Sequence, residues 1–94
     1  MIATFKSKTL KKYWETGNAR SINPKFARKV WRILTQLNAA REIKELQIPG
    51  FGLHSLTGNR RGYWATVVTR NWRITFRFED GNAFDVDFED YHGS

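Results

Sequence analysis

Trp72-Arg73-Ile74-Thr75-Phe76-Arg77-Phe78, then Asp80-Gly81-Asn82, then Phe84-Asp85-Val86-Asp87-Phe88-Glu89 is the stretch that decides the fold. Two runs alternate apolar and polar residues with a period of two, as half-buried strands do. The Asp-Gly pair between them favours a tight antiparallel hairpin. Alternation predicts that Trp72, Ile74, Phe76, Phe78, Phe84, Val86 and Phe88 face a core. It predicts that Arg73, Thr75 and Arg77 share the other face with Asp85, Asp87 and Glu89.

Working backwards, Thr69-Arg70-Asn71 reads as a turn, and Tyr63 to Val68 as a strand rich in aromatic and β-branched residues. Thr57 to Gly62, with two glycines and Asn59, reads as a loop. Phe51 to Leu56 is expected to be another strand. Pro49-Gly50 separates this sheet region from a helical half.

In that half, Asn23-Pro24 is a helix start, with asparagine as cap and proline at the first helical position. Phe26, Val30, Ile33 and Leu37 then form one apolar stripe, widened by Ala27, Trp31 and Leu34, and Lys25, Arg28, Lys29 and Arg32 lie opposite. This helix is expected to end near Ala40, with a short turn around Glu42–Leu46. An earlier helix is capped by Ser7, carries Leu10, Tyr13 and Trp14, and stops at Gly17. Ile2 to Lys6 is expected to be a short strand. The predicted order is β-α-α-β-β-β-β, an α+β fold with two N-terminal helices on one face of a mainly antiparallel sheet.

Length and composition agree with one domain spanning residues 1–94. The chain has no cysteine, so disulfide and thiolate chemistry are ruled out. No stretch approaches the roughly 20 apolar residues of a membrane span, and a signal-peptide pattern is missing. These features lead to the expectation of a cytoplasmic protein without membrane contact.

The net charge is +7, and it is unevenly spread. All 16 lysines and arginines precede Glu79, accompanied only by the acids Glu15, Glu42 and Glu45. Residues 79–94 hold six acids and no base. A strongly basic body attracts polyanions and favours nucleic acid as a partner.

The chain contains two histidines, His54 and His92. Imidazole is the side chain best placed to move a proton near neutral pH. Cleavage of RNA by its own 2′-hydroxyl needs a base, an acid for the leaving 5′-oxygen, and a cation for the charge on phosphorus. His54 and His92 are candidates for the base and the acid, in either order. Arg73, at the start of its strand beside Arg70-Asn71, is the candidate cation, because guanidinium holds phosphate with a forked pair of hydrogen bonds. Asp90 could orient an imidazole, and Tyr91 could stack on a base or donate its hydroxyl. Arg60, Arg61, Arg70 and Asn71 are the expected RNA contacts, with Arg60 and Arg61 as phosphate anchors in a glycine-flanked loop. The bland reading of the same residues is a surface histidine, a terminal histidine and a ladder of exposed ion pairs. Two histidines 38 positions apart lack zinc-motif spacing, and no phosphate-binding loop or dinucleotide fingerprint occurs, so no metal or cofactor is expected.

The chain resembles the HigB toxins of the RelE/ParE superfamily of type II toxin–antitoxin systems. The likeness is carried by Phe5 with Leu10-Lys11, by Glu15-Thr16-Gly17 and by Leu53-His54-Ser55-Leu56-Thr57-Gly58. It continues through Gly62-Tyr63-Trp64, Asn71-Trp72-Arg73-Ile74-Thr75-Phe76 and Glu89-Asp90-Tyr91-His92. The resemblance implies a RelE-like fold with a curved sheet and a ribosome-dependent messenger-RNA endonuclease that acts without metal. The implied products carry a 2′,3′-cyclic phosphate and a 5′-hydroxyl. It implies His54, Asp90, Tyr91 and His92 as active-site positions and Arg73 as the phosphate-side arginine. It also implies a HigA-like helix-turn-helix antitoxin, with operator DNA bound only through that antitoxin. Members often read Leu-His-Pro-Leu-Lys-Gly where this chain has Ser55 and Thr57, so a lysine within reach of phosphate is replaced, with Arg60 or Arg61 nearby. Two other readings share the fold or the charge: a gyrase poison that cuts no RNA, and a basic RNA- or ribosome-binding module without catalysis.

Overall fold

The computed structural model describes residues 1–90. Two helices come first, α1 (Lys8–Thr16) and α2 (Pro24–Ala39). A short 3-10 turn at Ile43–Leu46 follows. The sheet comprises β1 (His54–Ser55), β2 (Tyr63–Val67), β3 (Trp72–Glu79) and β4 (Asn82–Asp90), antiparallel in the order β1-β2-β3-β4.

Local chemistry sets the helix ends. The Ser7 hydroxyl accepts the Leu10 N–H at 3.1 Å, and Gly17 closes α1 in the left-handed conformation at φ 73°. The Asn23 side chain caps α2 through the Lys25 N–H at 2.9 Å. The stripe of α2 is buried at Val30, Ile33, Leu34 and Leu37 against Ile74, Phe76 and Val86 of the sheet. Trp31, expected in that stripe, lies at its margin and is exposed, its ring against those of Tyr13 and Trp14 at about 5 Å. Lys29 and Arg32, on the charged side, pin the following loop. Lys29 Nζ donates to the Gly50 carbonyl at 2.8 Å, and the Arg32 guanidinium lies over Phe51.

Three strand expectations need correction. The N-terminal segment makes only isolated parallel bridges to β4, Ile2 with Ala83 and Phe5 with Val86, so it guards the sheet edge rather than forming a full strand. The expected strand Phe51–Leu56 shrinks to His54–Ser55, because Gly50 and Gly52 take positive φ (91° and 55°) and Phe51 turns into the core. Gly52 has a further reason to be glycine: a Cβ there would stand 2.9 Å from Val67 Cγ2.

Phe84 is the third correction. It faces away from the helices, under the Arg77 guanidinium, and Ala83 takes the buried place instead. The hairpin explains why. Asp80 and Gly81 both have positive φ (50° and 77°), as a two-residue turn of the favoured hand requires. That turn pairs Arg77 with Phe84 and Phe78 with Ala83, whereas Arg73 pairs with Glu89 and Thr75 with Asp87. The two registers differ by one residue. A bulge between Thr75 and Arg77, with Asp85 at φ 55°, absorbs the difference. Val86 and Phe88 therefore keep the helix side, and Asp87 and Glu89 keep the far side with Arg73.

Candidate active site

The face of the sheet away from the helices carries the candidate chemistry. The paired positions His54, Ala65, Thr75 and Asp87 form one row across all four strands. The next row is Val67, Arg73 and Glu89. Cross-strand partners point to the same face, so His54 and Arg73 share it. β1 begins opposite Ala65, at the middle of β2, and Arg73 lies one row nearer the Thr69–Asn71 turn. Two strand spacings of about 4.8 Å and one step of two residues along the sheet separate their Cα atoms by roughly 12 Å. An imidazole and a long guanidinium can converge on one phosphate across that gap.

His54 is exposed, and its Nδ1 lies 2.9 Å from the Gly52 carbonyl oxygen. A carbonyl can only accept, so Nδ1 is the donor in this contact, which leaves Nε2 as the ring nitrogen turned away from it. The left-handed backbone of Gly52 supplies that carbonyl, which makes a tight local turn responsible for the contact.

Glu89 is the hub of the far face. Arg60 grips it with two hydrogen bonds, Nη1 to Oε1 at 2.9 Å and Nη2 to Oε2 at 2.6 Å. Arg73 Nη2 donates to Oε1 at 3.3 Å, and the Thr75 hydroxyl donates to Oε2 at 2.5 Å. The Arg60 hydrogen bonds, more than anything else, bring the Glu89 carboxyl down to about 2. Burial opposes them, while Thr75 and the charge of Arg73 add to them. The Arg60–Glu89 pair ties the hairpin loop that follows His54 to the strand that leads to Asp90. Arg60 also lies over the Tyr63 ring at 5.3 Å. A second pairing lies nearer the Asp80-Gly81 turn, where Asp85 Oδ2 accepts from Tyr63 Oη at 3.2 Å and from Arg77 Nε at 3.3 Å.

The expected site residues are thus only partly gathered. His54 and Arg73 share a face, and Arg60 reaches that face but is held by Glu89. Arg61, Arg70 and Asn71 are exposed on loops at opposite ends of the sheet. Asp90 pairs with Trp72, and alternation puts it on the side of Phe88 rather than with Arg73. Tyr91 and His92 lie outside the described residues. Glu89 and Thr75 were not among the expected site residues. Their signal was the far-face stripe itself, which sets Arg73 opposite an acid once the bulge is allowed for. Among the described residues, no group of three or more His, Cys, Asp or Glu is placed to hold a metal ion. Among the described residues, no helix is long and apolar enough to cross a membrane.

Two helices on one face of a four-stranded antiparallel sheet, with arginines and a histidine on the other, define the class of small RelE-like toxins. A variant of YafQ from E. coli superposes with a TM-score of 0.66 at 16% identity, covering 99% of this chain and 97% of that one. A chain of the YoeB–YefM complex from Staphylococcus aureus gives 0.60 at 13% identity, covering 95% of this chain and 98% of that one. These likenesses establish the fold. The profile for the HigB-like toxins, RelE-like toxins of the type II toxin–antitoxin system HigB, matches residues 3–92, and the chain belongs to that family. It is 40% identical over 92 residues to Endoribonuclease HigB of Proteus vulgaris, spanning 98% of this chain and 100% of that protein. It is 30% identical over 88 residues to Toxin HigB-1 of Vibrio cholerae, spanning 92% and 93%. As a toxin of a type II system, it has an antitoxin for a partner.

Proposed function

We propose that this chain is a toxin that cleaves messenger RNA on the translating ribosome by acid–base chemistry without a metal. The observation that carries the reading is full-length similarity to an endoribonuclease, together with His54 and Arg73 on one face of the sheet. In this reading a scissile phosphodiester lies over the far face near the Thr69–Asn71 turn. One histidine removes the 2′-proton and the other protonates the leaving 5′-oxygen. With Nδ1 turned to the Gly52 carbonyl, Nε2 of His54 is the nitrogen that can take the 2′-proton, which leaves His92 as the acid. Arg73 stabilises the additional negative charge on phosphorus. Asp90 orients an imidazole from the adjoining side of β4, and Tyr91 stacks on or hydrogen-bonds to the substrate. Arg61, Arg70 and Asn71 hold flanking phosphates.

The products are a 2′,3′-cyclic phosphate and a 5′-hydroxyl. The chain acts in the cytoplasm as one domain. Its antitoxin is a helix-turn-helix protein that covers basic surface and alone contacts operator DNA.

Induced expression tests the reading. Wild type is expected to arrest growth and leave 5′-hydroxyl ends within translated messages. The double variant His54→Ala, His92→Gln is expected to lose both effects. Full toxicity in the double variant would remove the two imidazoles from the mechanism.

A further inference from the structure

The Arg60–Glu89–Arg73 cluster has the composition of an anion site, yet its occupant is a residue of the chain itself. Two guanidinium groups and a hydroxyl converge on one carboxylate. Guanidinium forks match phosphate oxygens as well as they match carboxylate oxygens. The three side chains differ in accessibility. Arg73 and Glu89 are 15% and 19% exposed, whereas Arg60 is 39% exposed. Arg60 also stands on the short 3-10 turn Gly58–Arg60, in a loop whose Gly58 and Gly62 both take positive φ. It is therefore the partner that can leave. If it does, Glu89 keeps the Thr75 hydroxyl and Arg73, so no buried carboxylate is stranded.

We propose that Glu89 is a built-in stand-in for phosphate, and that a phosphodiester of single-stranded RNA takes Arg60 from it on binding. The inference rests on the reading of this face as the RNA-cleaving site. Its content is separate: one cation of the binding surface is held in reserve by an internal anion. With Arg60 on Glu89, their two charges cancel and the far face attracts RNA less strongly. With Arg60 on RNA, the surface gains a phosphate contact and Glu89 remains with Arg73, continuing to position it. Glu89 is thus a positioning residue for Arg73 and a competitor for Arg60.

The competition predicts a coupling that a merely structural pair would not produce. The probe is a fluorescent single-stranded oligonucleotide of about ten residues with 2′-deoxy sugars throughout, so cleavage cannot occur and only binding is read. Glu89→Gln is expected to bind it roughly three- to tenfold more tightly than wild type, as release of one guanidinium to a phosphate implies. The gain is expected to vanish when Arg60→Ala is also present. The salt dependence of binding is expected to be alike in wild type and Glu89→Gln, because both place Arg60 on a phosphate when bound, and to flatten by about one phosphate contact, a slope change near 0.7 for a single strand, when Arg60→Ala is introduced. Should Glu89→Gln not fold, Glu89→Asp keeps a charge but is too short for the forked pair, and it is expected to show a smaller gain with the same dependence on Arg60. Affinity that is unchanged, or that falls equally with and without Arg60, would overturn the proposal. Because catalysis is never measured, failure of the nuclease reading appears separately, as intact message in cells beside an unaltered binding cycle.

Discussion

Glu89 shows how one residue ties stability to the candidate site. Its carboxyl is held near 2 in the folded chain, below the usual glutamate range of about 4.3. A depressed folded value means that the contribution to stability is complete above the unfolded value. It is then lost as pH falls towards the folded value. The window is therefore about pH 4.5 down to about pH 2. Urea melts of wild type are expected to show stability falling through that window. Those of Glu89→Gln are expected to show a shallower fall, with the difference between the two proteins largest above pH 5. Equal pH slopes in both proteins would mean that Arg60 and Thr75 do not hold this carboxylate in solution. At the same scale, the pair was hard to read from sequence. Arg60 and Glu89 are 29 positions apart, and no local pattern announces a contact of that span. Arg73 and Glu89 were legible as members of one stripe, because alternation alone places them on one face.

At the scale of elements, what was legible is what local chemistry decides. Ser7, Asn23-Pro24 and Gly17 fix helix ends through their own side chains and backbone, so both helices were readable from short windows. Ser7→Ala is expected to cost about 1 kcal/mol, measured by urea denaturation, because the Leu10 N–H loses its acceptor. A change within error would show that the cap is dispensable. Strands were less legible where the period breaks. Asp80-Gly81 specifies a register that pairs Arg77 with Phe84, while the apolar pattern pairs odd positions with odd ones. The two signals conflict by one residue, and the conflict is itself evidence for a bulge. Treating alternation as unbroken sent Phe84 to the wrong face. The strand expected from Phe51 failed for a different reason. Two glycines in left-handed conformations turn the chain, and what remains is a two-residue edge strand that carries His54.

For the whole molecule, the helices and the core face of the sheet form the scaffold, and the far face carries the candidate site. The charge imbalance in the sequence foreshadowed a polyanion partner, but not how it is tempered. Three of the six late acids, Glu79, Asp85 and Glu89, fold back onto arginines of the basic part, so much of the acidic end is spent on internal pairing. The exposed pairs among them, those of Arg77 with Glu79 and Asp85, stabilise by under about 1 kcal/mol each. Their larger effect is to set which cations face a ligand. Arg61 and Arg70 remain exposed, at opposite ends of the sheet. Arg73 sits toward the Arg70 end, and His54 lies one row further in. In the proposed reading, a polyanion tracking across the far face meets His54 and Arg73 on the way.

The most direct test is to map cleavage ends on a defined message in a purified translation system, with active ribosomes and with ribosomes stalled before initiation. The account predicts discrete 5′-hydroxyl ends only on translated message, abolished by His54→Ala and reduced at least a hundredfold by Arg73→Ala. Undiminished cutting by either variant would contradict it.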